Sequence, residues 1–209
     1  EQLDFVVVGG DAYVDHPSFG TAIISRLLEA EGYKIGVLAQ PRYTDCEDFK
    51  RFGKPKYGFF IGGGNVDSMV SHYSVAKIPR AEDEYSPGGK GGARPDRSAT
   101  VYTRLAKQAY PDLPVILGGL EGSLRRFAHY DYWEDKVRRA ILFDAPADLL
   151  VYGMGENATR EIAGALASGR RDQAQKLADG WNRADGGKFT TNVAYSNTAA
   201  TTIKPHNTI

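Results

Sequence analysis

Five short apolar runs, four of them followed by glycines and all separated by longer stretches of mixed texture, constrain this sequence most. They are residues 3–8 (LDFVVV), 34–39 (KIGVLA), 57–61 (YGFFI), 114–117 (PVIL) and 148–152 (DLLVY). They are too short for buried helices and too uniformly apolar for strands with one wet face, so they read as strands covered on both sides. Between them, residues 21–31 set Ile23, Ile24, Leu27 and Leu28 on one helical face, with Gly32 as the stop. Residues 98–110 read as a helix with Ser98 as its N-cap, and 157–168 as a closing helix carrying Ile162, Ala163 and Leu166 on one face before Gly169. A short helical turn is expected around 48–52. Strands alternating with helices predict an α/β fold, a doubly wound, mostly parallel five-stranded sheet of Rossmann-like type. The expected strand order is 2-1-3-4-5.

Three stretches depart from the alternation. Residues 65–97 hold Pro79, Pro87, Pro95 and the run PGGKGG at 87–92, and a loop of this length marks a functional or mobile segment. Residues 122–140 are polar and aromatic, and read as mostly helical. Residues 171–209 form a separate extension beyond a domain spanning 1–170. A helix is expected over 172–181. Residues 186–209, rich in Thr, Asn and Ala, read either as a strand or hairpin packed on another body or as a flexible tail.

Composition removes several function classes. With 42% hydrophobic and 25% charged residues in 209, the chain can build a core. Lys+Arg and Asp+Glu both number 26, which argues against a globally basic nucleic-acid binder. No apolar run is long enough for a membrane span. A single cysteine, Cys46, excludes any site that needs two thiolates from these residues. Its neighbours Asp45, Glu47 and Asp48 argue against a nucleophilic role, and a lone thiol points to a reducing, cytoplasmic compartment.

The glycines fall where an open parallel sheet binds ligands. Four runs end in glycine followed by a polar group, at Gly9-Gly10-Asp11, Gly62-Gly63-Gly64-Asn65, Gly118-Gly119-Leu120-Glu121 and Gly153-Met154-Gly155-Glu156. Carboxyl ends of parallel strands share one rim, and glycine there lets a backbone approach a ligand closely. The candidate binding residues are Gly10, Asp11, His16, Ser18, Gly20, Gly63, Gly64, Gly118, Gly119, Gly153, Gly155 and Glu156. Their expected roles are backbone donation and polar orientation. The competing reading is that the glycines only make tight turns. His16 reads first as a plain surface side chain, with a metal ligand and an acid/base as the alternatives. The match of 153–158 to G-x-G-x-x-A is discounted as a dinucleotide fingerprint, because no further strand with a terminal acid follows at the required distance. Arg125, Arg126, Arg138 and Arg139 flank an aromatic segment that could face phosphate or RNA, but Glu121, Asp131, Glu134 and Asp135 neutralise much of it. No catalytic residue and no metal site is assigned.

The stretches GDAYVDHPSFG (10–20), RPDRSATVYT (94–103), PVILGGLEGSLRRFAHYDYWEDKVRR (114–139) and ADLLVYGMGE (147–156) resemble the N-terminal part of YgiQ-like radical SAM proteins. The resemblance covers roughly residues 3–170. It implies a cobalamin-binding-type α/β domain that presents a ligand or substrate to a following radical SAM barrel of the same polypeptide. The [4Fe-4S] cluster and S-adenosylmethionine belong to that barrel, whose three-cysteine motif is absent here. The family's cobalamin signature is D-x-H-x-x-G. Asp15 and Gly20 keep its spacing, but His16 stands one place early and Pro17 occupies the ligand slot. A base-off corrinoid and no corrinoid both stay open. The alternative reading is a non-catalytic scaffold whose C-terminal tail adds strands to a second copy, giving a homo-oligomer.

Overall fold

All five apolar runs become strands of one sheet. The computed structural model describes residues 2–12 and 19–169 and the backbone of 193–195. The chain runs β1 (Phe5–Gly9), α1 (Gly20–Ala30), β2 (Ile35–Ala39), α2 (Glu47–Lys50), β3 (Gly58–Gly62), α3 (Ser68–His72), α4 (Ser98–Ala109), β4 (Val115–Gly118), α5 (Gly119–Leu124), β5 (His129–Asp131), β6 (Lys136–Arg138), β7 (Leu149–Val151), α6 (Glu156–Ala167) and β8 (Val193–Tyr195), with 3-10 turns at Pro87–Gly89 and Ile141–Phe143. The sheet order is β2-β1-β3-β4-β7-β8. Its first five strands are parallel and follow the expected 2-1-3-4-5 order, in registers such as Val8↔Leu38, Val8↔Ile61, Ile61↔Leu117 and Leu117↔Leu150. β8 closes the β7 edge antiparallel, with Leu150 opposite Ala194. The expected boundary at 170, the helix over 172–181 and the rest of the extension lie outside the described residues.

Alternation along each strand sends side chains to two cores. Val6, Val8, Phe59, Ile61, Val115, Leu117 and Leu150 pack with Phe49 of α2 and with Tyr102, Leu105 and Ala106 of α4. Phe5, Val7, Phe60, Ile116, Leu149 and Val151 pack with Leu28 of α1 and with Ile162, Ala163 and Leu166 of α6. Burial on both faces is why the strands carry no polar alternation. Cys46 is a buried member of the α2/α4 core. Among the described residues no helix is long and apolar enough to cross a membrane.

Three expectations are corrected. Only the start of residues 122–140 is helical, within α5. The rest forms the antiparallel β5–β6 hairpin, in which His129 opposes Arg138 and Tyr130 opposes Val137. Polar and aromatic residues mixed at this spacing fit both periods, and tertiary pairing chose the hairpin. Ser98 is not the N-cap of α4. Arg97 takes that place at φ 50°, and the Ser98 hydroxyl turns inward to donate to the Gly63 carbonyl at 2.7 Å. Residues 65–97, expected as a loop throughout, hold α3, a 3-10 turn and the bridges Tyr73↔Pro79 and Glu82↔Lys90.

Candidate functional site

The carboxyl ends of β1, β3, β4 and β7 enclose a cavity of about 290 Å³ on the α1/α6 side of the sheet. Val7, Phe60, Ile116 and Val151, all of the α1/α6 core, line it from the sheet, and Ile23, Ile24 and Thr159 line it from the two helices. Gly64, Gly118, Gly119, Gly153 and Gly155 also line it, with Asp11, Asn65, Met154 and Glu156. Both α1 and α6 begin beside the cavity, at Gly20 and Glu156, so the positive ends of their dipoles lie toward it. The lining is predominantly apolar, which suits the hydrophobic part of a ligand.

Sequence reasoning named twelve rim residues, and the structure sorts them. Asp11, Gly20, Gly64, Gly118, Gly119, Gly153, Gly155 and Glu156 line the cavity. Gly10 and Gly63 do not; they are contact points between β1 and β3 ends. A Cβ on Gly10 would stand 2.0 Å from the Gly63 carbonyl oxygen, and one on Gly63 would stand 2.9 Å from Glu121 Oε2. For these two, close packing is the reason for glycine. At Gly118 the nearest atom to an added Cβ is the Val151 carbonyl oxygen at 3.5 Å, an ordinary contact. His16 and Ser18 lie outside the described residues.

Asp11 marks the polar limit of the cavity. It is 2% exposed, its Oδ2 accepts from the Asn65 amide at 2.7 Å, and its Oδ1 accepts from Arg94 at 3.3 Å. Burial pushes its carboxyl above the ordinary carboxylate range despite those two donors. Beyond Asp11 the rim is filled. Arg94, 1% exposed, donates from Nη2 to both carboxylate oxygens of Asp83 at 2.9 Å. Burial pushes Asp83 up, but hydrogen bonds from Ser86, the Tyr85 amide and Arg94 outweigh it and hold the carboxyl below its usual range. Gln40 ties the loop to the strand by donating to the Gly10 carbonyl at 3.0 Å and to Ser86 Oγ at 2.8 Å. Glu121, 1% exposed, accepts from the Ser68 amide at 3.1 Å and the Ala99 amide at 3.0 Å, capping α3 and α4 together. Burial raises its carboxyl as well.

These buried charges escaped the sequence reading as a group. Glu121 was visible as the acid after a glycine pair and as one of the acids near the arginine segment, and Arg94 only as the first residue of the 94–103 stretch. Three of the four arginines of the segment are paired with acids from outside it, Arg125 with Asp67 and Arg138 and Arg139 each with Asp144 at 3.0 Å, while Asp131 within it takes Arg97 at 2.8 Å. That pairing leaves little basic surface for nucleic acid. Among the described residues no group of three or more His, Cys, Asp or Glu side chains is arranged to hold a metal.

A family model described as "Radical SAM N-terminal" matches residues 1–207. This chain belongs to the radical SAM N-terminal family. It is 57% identical over 178 residues to a UPF0313 protein of Clostridium botulinum (strain Loch Maree / Type A3), covering 85% of this chain and 28% of that relative. It is 57% identical over 169 residues to a UPF0313 protein of Methanosarcina mazei, covering 81% of this chain and 27% of that relative. The chain thus corresponds to the N-terminal domain of UPF0313 radical SAM proteins and spans just over a quarter of their length. Among solved structures it is similar to the radical S-adenosylmethionine methyltransferase TsrM from Kitasatospora setae, with cobalamin and a [4Fe-4S] cluster bound. That likeness has a TM-score of 0.48 at 18% identity and covers 81% of this chain and 25% of that one.

Proposed function

We propose that this radical SAM N-terminal domain presents a ligand to the rest of a longer polypeptide. The crevice takes the ligand's apolar arm, and the ligand's reacting part stays at the rim. The observation that carries this reading is the apolar cavity placed at the carboxyl-end rim, where an open α/β sheet binds ligands. Its size is near the lower end of small-molecule pockets, roughly 300–1,000 Å³. It suits one planar arm of a larger cofactor rather than the whole molecule.

A corrinoid would fit that description through the planar base of its nucleotide arm. Ile24 and Val151 would pack on the arm, and the backbone at Gly118, Gly119 and Gly153 would allow close approach. Met154, 80% exposed, offers apolar surface at the mouth of the cavity, and Leu120, 45% exposed, offers it outside. When bound, a corrinoid supplies a cobalt-centred carrier for group transfer or radical chemistry. Pro17 has no side-chain donor, so this chain offers no cobalt ligand at that slot. The chain's own part is to hold the ligand, exclude water from its apolar arm and orient the exposed part.

The test is an absorbance titration of the purified chain with cobalamin and with cobinamide, which lacks the nucleotide arm. Cobalamin is expected to change the spectrum at micromolar concentrations, and cobinamide is expected to bind more weakly. No change with cobalamin at high micromolar concentration removes the corrinoid. An apolar fluorescent probe, 8-anilinonaphthalene-1-sulfonate, tests the crevice itself. If Ile24→Trp, which fills it, leaves probe binding unchanged, the ligand reading fails altogether.

A further inference from the structure

The β5–β6 hairpin is built inside out. A two-stranded antiparallel sheet is marginal alone and ordinarily buries its apolar face, leaving the polar one to water. Here the inward side is polar. Asp131, 3% exposed, accepts from Arg97 at 2.8 Å and from the Trp133 and Glu134 amides at 3.0 Å. The outward pair is Tyr130 opposite Val137, and these are 59% and 73% exposed. Tyr132, 43% exposed, extends the face to the 73–79 loop by donating to the Val75 carbonyl at 2.5 Å. Val75 and Ile78 on that loop are 84% and 62% exposed. The face is held rigid: Lys77 lies 4.8 Å over the Tyr132 ring and donates to the Trp133 carbonyl at 3.4 Å, and Tyr73 packs on Trp133 with centroids 5.3 Å apart.

We propose that this face, Tyr130, Tyr132 and Val137 with Val75 and Ile78, is where the remainder of the longer polypeptide docks. Two observations choose that occupant. The relatives carry this domain as only 28% of their length, so most of the polypeptide lies outside it and follows it. The surface also has the character of an interface core, with tyrosines and β-branched residues side by side and the hydroxyls of Tyr130 and Tyr132 already bonded to Asp135 and to the Val75 carbonyl before any partner arrives. The inference rests on the reading of the chain as one domain of a larger protein, and it does not depend on which ligand the crevice holds.

Hydroxyl-radical footprinting tests it. Oxidation of the segment holding Tyr130 and Tyr132 is measured in the 209-residue chain and at the aligned segment of the full-length UPF0313 protein of Clostridium botulinum. High oxidation in the short chain and several-fold lower oxidation in the full-length protein are expected. Val137→Glu, at a position already exposed, should leave the thermal midpoint of the short chain unchanged. The aligned change should restore oxidation of that segment in the full-length protein. Equal oxidation in both proteins overturns the proposal. So does protection already present in the short chain, which assigns the face to a second copy if it rises with concentration and to the chain's own remaining residues if it does not. Probe binding in the crevice is read in the same samples, so a failed interface is distinguishable from a failed ligand site.

Discussion

On the α1/α6 side of the sheet, the carboxyl-end rim encloses an apolar cavity of about 290 Å³. On the α4 side, the same rim is filled by Asp83, Arg94 and Glu121, with Asp11 at the border between them. The difference teaches how glycine at a strand end should be interpreted. At Gly10 and Gly63 it permits backbone and side chain to meet at distances no Cβ would allow, and the result is a solid wall. At Gly118 an added Cβ would make only an ordinary contact, and the result is an opening. The filled half also shows what a long inserted loop does. Residues 65–97 carry Asp83 and Arg94 back over the strand ends, and each buried charge arrives with a hydrogen-bonded partner.

The contrast is broken most strongly by removing the centre of the filled half. Arg94→Met leaves Asp83 and Asp11 buried without their cation, and should cost about 3–5 kcal/mol in urea unfolding. A loss below about 1 kcal/mol would mean that the network is not what holds the loop down. Next, Gly10→Ala should cost about 2–3 kcal/mol, because its Cβ meets backbone that cannot move aside. Gly118→Ala, its counterpart on the open half at φ −152°, should change stability by no more than about 0.5 kcal/mol. Equal effects at the two positions would dissolve the distinction. The smallest effect sharpens it. Tyr102 is fully buried beneath the filled half, and its hydroxyl has no hydrogen-bond partner among the described residues. Burial pushes that phenol well above its ordinary value. Tyr102→Phe should therefore leave stability unchanged or raise it by up to about 1 kcal/mol, read as a higher urea midpoint. A clear loss would show that the hydroxyl has a partner after all.

Much of the frame could be read from local pattern. Uniform burial along residues such as Val6, Val7 and Val8 follows from a strand with helices on both sides, whereas the alternation with helices allows more than one doubly wound strand order, of which 2-1-3-4-5 was the one expected. The 114–139 and 147–156 stretches carried enough specific sequence to place the family. The hairpin was missed because three-residue strands give too few positions for a period to be measured, and because its apolar residues face outward. Ser98 has the composition of an N-cap, yet its hydroxyl is drawn inward by the Gly63 carbonyl and by Glu121.

The sequence by itself determined the number of parallel strands, their approximate limits and their burial on both faces, because apolar periodicity is set by neighbours a few residues apart. Only the tertiary structure decided which glycines line a cavity, which close a contact and which, like Gly64 and Gly155, do both, and where the buried charges go. Arg94 reaches Asp11 across 83 positions and Glu121 reaches Ser68 across 53, and nothing in the residues adjacent to either names its partner. Burying an ionised side chain is tolerable only where a partner is delivered to it, and that delivery is a property of the folded chain.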